Sequence, residues 1–230
     1  MRISPTEFLR PPKARAVEVA CAPDAHLSPE LSFPPASFAH VLAKRPDPAG
    51  ILAAVQHLLL TGALEVDRTP GMFVYRAAHG GRRWMGLVCS VDTRDLVPLL
   101  VDAATPVEIR MAEADRAAFG AQLAPCLVKV ESSDDVAQCF VLDSNDRPGY
   151  HFVSHDGSTH SAWVVRNPQE YVELFSDLDP EGVLCGGAEL MAAHLAGAPA
   201  MAILSSDADT HASGGPLQPR AGLLMARPAE

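Results

Sequence analysis

The sequence feature that constrains the fold most is a pair of short β-forming runs separated by a glycine turn. The first run covers residues 72–76 and the second covers residues 84–89, and both are rich in β-branched, aromatic and other apolar residues. Residues 79–82, with the sequence His-Gly-Gly-Arg, lie between them. Because glycine is a preferred residue of tight hairpin turns, the sequence predicts a β-hairpin here.

The patterns on either side of this hairpin predict helices mixed with further strands. A polar cap followed by proline is typical of a helix start, so we expect helices to begin at Asp47-Pro48 and at Asn167-Pro168, the latter with Glu170 completing a capping box. The other expected helices are 95–101, 112–123 and 188–195, and the other expected strands are 16–21, 126–130, 140–143, 151–154, 162–165, 183–185 and 221–225.

This mixture indicates an α+β fold, a single domain over residues 1–230 with a mixed β-sheet and hairpins flanked by helices. No internal repeat or long linker divides the chain. Residues 1–45 are rich in proline and are expected to form an extended N-terminal segment that lies over the core. We expect a polar loop at 205–216 and a frayed tail at 226–230.

Composition and charge exclude several classes of function. Hydrophobic residues make up 48% and charged residues 20% of the 230 residues, which is ordinary for a globular protein. The longest apolar stretch, residues 51–60, falls far short of the ~20 residues that a membrane-spanning helix needs. The N-terminus has no apolar signal core, and the formal net charge of −10 disfavours binding to nucleic acid. We therefore expect a cytoplasmic protein whose partner is a small molecule or another protein, and not a nucleic acid or a membrane.

The cysteines and histidines do not predict a metal site. The five cysteines include no Cys-x-x-Cys pair, and without an export signal they are expected to be free thiols in a reduced compartment. His151, His155 and His160 surround an expected hairpin and are of a type that binds zinc. No cysteine, aspartate or glutamate nearby has a fitting spacing, so the alternative is three solvated histidines, and we predict no metal.

The strand–glycine–helix junction around Gly186 and Gly187 is the best candidate site. A strand that turns through glycines into a helix exposes backbone N–H groups, which attract anions together with the helix dipole. The alternative is a simple tight turn, and Glu189 favours it because its carboxylate satisfies the dipole and repels phosphate. Cys185 is a candidate nucleophile since a thiol at a helix N-terminus has a lowered pKa. Its alternative is a buried cysteine at the end of a core strand.

Several motifs follow one another in an order that resembles the domain of unknown function 1015 family. The hairpin 72–88 is similar to that family's Tyr-x-Tyr-Arg hairpin, and residues 183–193 fall on the strand–loop–helix that carries its Asp-Gly-His-His-Arg signature. The resemblance covers nearly the whole chain, and full-length family members continue beyond its end. The remaining matches are Phe8-Leu9-Arg10-Pro11, Ala22-Pro23-Asp24, Ser37-Phe38 with Arg45-Pro46, Pro106-Val107-Glu108, Asp115-Arg116 and Trp163-Val164-Val165.

The family signature is similar to the phosphate-binding loop of the ParB/sulfiredoxin-like superfamily, which includes nucleotide-binding partition proteins, sulfiredoxins and free-serine kinases. The resemblance implies such an element near the C-terminus, with Gly186-Gly187 as the phosphate turn. It also makes Glu108 and Asp24 candidates for acid–base chemistry. Only Gly186 of the signature is retained. Glu189 stands in place of the arginine that would grip a phosphate, which replaces attraction by repulsion.

Three hypotheses about function remain open, and we favour the first. In the first, the chain is a diverged domain that binds a small molecule or a protein partner. It has lost the His-His-Arg of the phosphate loop, as a pseudoenzyme would, and it needs no cofactor. In the second it is an enzyme. One version is a nucleotide-dependent small-molecule kinase that takes ATP or ADP with magnesium, with Glu108 as base and Arg110 or Arg220 in place of the lost arginine. Another version uses Cys185, Asp24 or Glu108 for a new reaction in the same cleft. In the third, the chain is a subunit whose partner supplies the absent C-terminal region.

Overall fold

A mixed β-sheet forms the centre of the computed structural model, which describes residues 1–20, 35, 37–42, 48–100, 104–154, 156–208, 217–220 and 223–227. The strands are β1 (Ile3–Ser4), β2 (Glu7–Arg10), β3 (Glu65–Val66), β4 (Phe73–His79), β5 (Arg82–Val91), β6 (Cys126–Val130), β7 (Tyr150–Val153), β8 (Thr159–Val164), β9 (Pro180–Cys185), β10 (Ala200–Ser205) and β11 (Met225–Arg227). The helices are α1 (Ala16–Val19), α2 (Phe38–Leu42), α3 (Pro48–Leu60), α4 (Thr93–Leu96), α5 (Pro106–Phe119), α6 (Asp134–Ser144), α7 (Pro168–Ser176) and α8 (Gly187–Leu195), with 3₁₀ turns at Lys13–Arg15 and Val97–Leu99.

The sheet has eight strands in the order β7-β8-β4-β5-β10-β6-β9, and β1 pairs with β5 beyond the end of β4. Strands β6 and β10 run parallel, and the other described pairs in this sheet are antiparallel. A separate three-stranded sheet has the order β11-β2-β3. The α+β class and the mixed sheet of a single domain are therefore confirmed.

The predicted hairpin consists of β4 and β5, which pair from Phe73 opposite Val88 to His79 opposite Arg82. Gly80 and Gly81 form its two-residue turn with φ angles of 57° and 80°. A tight hairpin turn with positive φ at both central positions matches the twist of the strands and favours glycine at both. The local signal in the sequence was therefore sufficient to place these two central strands.

Side chains from both faces of the large sheet form the core. One face packs under α6, α7 and α8, with Val128, Phe140, Tyr171 and Leu190 in one buried cluster. The opposite face carries a second cluster, whose members include Tyr75, Trp84, Ile203, Leu217 and Leu224. Helices α2 and α3 form a third cluster with residues that precede β6. Full burial of one such large side chain contributes roughly 1.5–3 kcal/mol.

Two of the expected strands are wrong. Residues 140–143 belong to α6, in which Val136, Cys139 and Phe140 are buried at helical spacing whereas Val141 and Leu142 are 59% and 57% exposed. Ser133 caps this helix by accepting a hydrogen bond from the backbone N–H of Val136. Residues 16–19 form the short helix α1, and residue 21 lies outside the described residues.

Other boundaries also differ from expectation. Helix α5 begins at Pro106, six residues before the expected start at 112, because Thr105 caps it. Helices α3 and α7 begin at the expected prolines, but Asn167 makes no side-chain capping bond, so the expected capping box does not form. Strand β10 was not expected, although it is buried along its whole length. Among the described residues, none of the helices combines the length and hydropathy that crossing a bilayer requires.

Candidate functional site

A cavity of about 460 Å³ lies where β9 turns into α8. It brings together residues that are far apart in the sequence: Glu108 from the first turn of α5, and Cys185, Gly186, Gly187 and Glu189 from the junction itself. Five of the seven residues predicted for the site therefore line one cavity. The other described lining residues are Leu100, Ala104, Met111, Ala112, Ala124, Pro125, Val183, Leu184, Ala188, Gln218 and Pro219.

The close approach of β6 fixes the backbone of the junction. Gly186 has φ 82° and ψ 24°, in the left-handed region that favours glycine. A Cβ atom at this position would lie 2.7 Å from Cα of Cys126, so a larger residue does not fit without a shift of backbone. The Cys126 thiol donates a hydrogen bond to the carbonyl oxygen of Gly186 at 3.1 Å. The junction is therefore a tight turn held by packing, and it also starts α8 at the cavity wall.

Glu189 lies in the first turn of α8 and is half-buried. Burial raises the pKa of the Cys126 thiol well above its usual value, and the nearby Glu189 and then Cys185 raise it further. The charge of Glu189 therefore acts on the β6 side of the junction. Cys126 is therefore protonated at neutral pH and can act as the donor to Gly186. Cys185 is half-buried at the end of β9, pairs in register with Leu127 and packs against the second core cluster.

Glu108 forms a capping box at the start of α5. Its Oε2 accepts hydrogen bonds from the backbone N–H of Thr105 at 2.7 Å and from the Thr105 hydroxyl at 2.8 Å. Thr105 Oγ1 accepts from the backbone N–H of Glu108 at 3.3 Å. The backbone bond and then the hydroxyl bond lower the pKa of Glu108. The spacing Thr105-x-x-Glu108 is a capping-box pattern that sequence reasoning missed.

The predicted cationic residues do not contribute to the lining of this cavity. Arg110 is exposed on α5 and is not among the described lining residues. Arg220 is 3% exposed and contacts Asp156, Ser158 and His160 instead. Asp24, the remaining predicted acid–base residue, lies outside the described residues. The described lining thus has two charged side chains, Glu108 and Glu189, and both are carboxylates.

Two of the three candidate zinc histidines, His151 and His160, each lie beside a different hydroxyl group. His160 is fully buried and its Nδ1 lies 2.7 Å from the Tyr75 hydroxyl. His151 Nδ1 lies 3.0 Å from the Ser161 hydroxyl, and His155 lies outside the described residues. In the part of the chain that the structure describes, no group of three or more histidine, cysteine or acidic side chains could hold a metal ion.

Comparison with known proteins gives no relative from which a function could be transferred. No protein-family model matches the chain, and neither a curated protein nor a solved structure matches it.

Proposed function

We propose that the chain binds a small molecule in the cavity at the β9–α8 junction, and that this ligand is uncharged or positively charged. The charge of the lining carries the proposal. The described lining has the carboxylates of Glu108 and Glu189 and no lysine or arginine side chain. The volume of about 460 Å³ lies within the range of roughly 300–1,000 Å³ that is typical of small-molecule sites.

A phosphorylated ligand fits this lining less well. The backbone N–H groups at the start of α8 would attract a phosphate, but the carboxylate of Glu189 lies in the same helical turn. Repulsion between two unit charges 4 Å apart amounts to roughly 4 kcal/mol at the effective dielectric constant found near a protein surface. An amine or a neutral polar group would avoid this repulsion.

The second candidate is a nucleotide-dependent kinase, and one observation favours it. Glu108 and Gly186-Gly187, to which the family resemblance assigns the roles of base and phosphate turn, line the same cavity. Magnesium would then have to supply the positive charge that the lost arginine does not. The lowered pKa of Glu108 makes it a weaker base, and the described lining lacks a basic side chain, so this candidate ranks second. Membership of the domain of unknown function 1015 family is likewise a proposal. Association with a partner chain is a third proposal.

We also propose a reducing, cytoplasmic location and a partner other than nucleic acid. Cys89, Cys126 and Cys139 are buried thiols that form no disulfide, as is usual for a protein in a reducing compartment. The formal net charge of −10 supports a partner without a phosphate backbone.

Calorimetry and thermal-shift measurements with a panel of matched ligands test the proposed function. The panel pairs neutral and amine metabolites with phosphorylated ones of similar size, and it includes ATP and ADP with magnesium. A ligand at 100 times its Kd should stabilise the protein by about 2.7 kcal/mol. We expect stabilisation by neutral or amine compounds. Micromolar affinity for ATP or ADP would overturn the proposed charge preference and favour the kinase.

A cavity-blocking variant shows whether a bound compound occupies this cavity. Ala188→Phe fills space next to Gly187 on the cavity wall, whereas Ala196→Phe adds the same ring at an exposed position at the other end of α8. Binding should be lost in Ala188→Phe and retained in Ala196→Phe. Equal affinity in both variants would place the ligand elsewhere.

A further inference from the structure

One wall of the cavity belongs to a short buried segment of the chain between β10 and β11. Gln218 and Pro219 line the cavity, and Leu217, Gln218 and Arg220 are 7%, 7% and 3% exposed. In the described residues this segment is not paired into either sheet.

Side-chain hydrogen bonds hold both ends of the segment. At one end, the indole N–H of Trp84 donates to the carbonyl oxygen of Leu217 at 2.9 Å. At the other end, Arg220 donates to Ser158 Oγ at 2.6 Å and to His160 Nε2 at 2.9 Å, and it forms an ion pair with Asp156. The cavity residues Gln218 and Pro219 lie directly between these anchors in the chain.

The chemistry of arginine fixes the protons in this network. Arginine donates and never accepts, so Nε2 of His160 must be the acceptor. The neutral imidazole then carries its proton on Nδ1 and donates it to the Tyr75 hydroxyl at 2.7 Å. Burial and the Arg220 charge lower the pKa of His160 to about 3, which keeps the ring neutral.

The carboxylate of Asp156 completes the network. Burial alone would raise the pKa of Asp156, but bonds from Ser158 and then Arg220 lower it to about 2. The Ser158 hydroxyl donates to Asp156 Oδ1 at 2.5 Å. The buried arginine thus has a paired charge and directed acceptors, which together define a single position for its guanidinium group.

We propose that Arg220 is a positioning residue for the cavity, because its contacts with Ser158, His160 and Asp156 hold Gln218 and Pro219 in the wall. This inference rests on the proposed function, since it assigns the wall to a ligand-binding cavity. A purely structural role would stabilise the fold without a specific effect on the cavity.

The test compares Arg220→Met with Arg10→Met. Methionine keeps an unbranched, flexible side chain along most of the aliphatic part of arginine and removes its charge and donors. Arg10 is a matched control, since it also pairs with an aspartate, Asp67, and bonds to a tyrosine hydroxyl, that of Tyr150. Arg10 does not line the cavity. The probe is iodoacetamide, whose rate of reaction with Cys185 in the cavity wall is read by mass spectrometry under native conditions.

We expect the Cys185 rate to rise by about 2- to 30-fold in Arg220→Met, a range typical of coupling between linked positions. Hydrogen exchange in peptides that contain residues 217–220 should increase in the same variant. Arg10→Met should lower stability without either change. An unchanged Cys185 rate and unchanged exchange in Arg220→Met would overturn the inference.

A second variant keeps the test decisive if Arg220→Met does not fold. Trp84→Phe removes the donor to Leu217 and keeps an aromatic ring in the core. A raised Cys185 rate in this variant supports control of the wall by its anchors, and an unchanged rate overturns it. Failure of the whole ligand panel on the native protein would instead reject the proposed function, whatever the Cys185 rates are.

Discussion

Replacement of Gly186 by alanine tests whether the contact with β6 holds the β9–α8 junction. Gly186 has φ 82°, and the new Cβ would lie 2.7 Å from Cα and 3.2 Å from Cβ of Cys126. The closest atom belongs to the backbone, so rotation of a side chain cannot relieve this contact. Either α8 or β6 must move, and the cavity would move with it.

The expected loss of stability has two parts. A left-handed conformation costs a residue with a Cβ about 1–2 kcal/mol. Forcing an extra carbon into a well-packed site costs typically another ~1–3 kcal/mol. Gly186→Ala should therefore lower the free energy of unfolding by about 2–5 kcal/mol. For a domain of this size, 1 kcal/mol corresponds to roughly 2–4 °C in Tm, so the expected decrease is about 4–20 °C.

Gly197→Ala is the matched control, since Gly197 follows the other end of α8 with φ 64°. Apart from its chain neighbours, none of the described residues has an atom within 4 Å of its Cβ position. It should lose only the conformational part, about 1–2 kcal/mol. Thermal unfolding followed by circular dichroism, together with urea titration, measures both variants. Equal losses of stability would refute the reasoning, because they would mean that the contact with Cys126 contributes nothing.

Three further predictions concern buried polar groups and the charge of the cavity. Because the pKa of His160 is lowered from 6.5 to about 3, its contribution is fully present above pH 6.5 and is lost as the pH falls towards 3. His160→Asn should therefore flatten the urea-derived stability profile over that interval, and an unchanged slope would contradict this. Gln122 donates to the carbonyl oxygen of Met201 at 2.9 Å and accepts from its N–H at 2.7 Å, so Gln122→Leu should cost about 2–4 kcal/mol in urea titration. The exposed Gln169→Leu should cost less than about 0.5 kcal/mol. Glu189→Arg places a cation at the first turn of α8 and should give calorimetrically detectable binding of pyrophosphate, whereas Glu189→Gln should give less. No binding in either variant would argue against an accessible anion site there.

Local signals made part of the fold predictable. The Gly80-Gly81 turn and the β9–glycine–α8 junction are each encoded within a dozen residues, because the conformation that glycine permits is itself the signal. The consecutive apolar residues 140–142 predict a strand over 140–143, although they lie in helix α6. Its helical period becomes visible only when Val136 is counted with Cys139 and Phe140.

Long-range contacts were beyond the reach of such patterns. Strand β10 is apolar on both faces, so it lacks the alternation that identifies a half-buried strand. The sequence makes Arg220 a candidate phosphate ligand, yet Arg220 lies next to Asp156 and His160, which are about sixty positions away in the sequence. Five of the seven predicted site residues line one cavity. Their partners Thr105 and Cys126 were not predicted, because each supports the site through hydrogen bonds and has no catalytic or ligand-binding pattern of its own.

Bonds within the protein hold two sides of the cavity, and the proposed role of Arg220 adds a third. This arrangement affects how the cavity would bind a ligand. Thr105 holds Glu108, Cys126 holds Gly186, and Arg220 lies beside the wall formed by Gln218 and Pro219. A ligand that enters such a site has little side-chain entropy to remove, so more of its contact energy is available as affinity. The ligands that fit are also limited by charge, since both charged side chains of the described lining, Glu108 and Glu189, are carboxylates. Under the proposed function, rigidity and negative charge together therefore favour a compact, uncharged or cationic ligand over a flexible phosphorylated one.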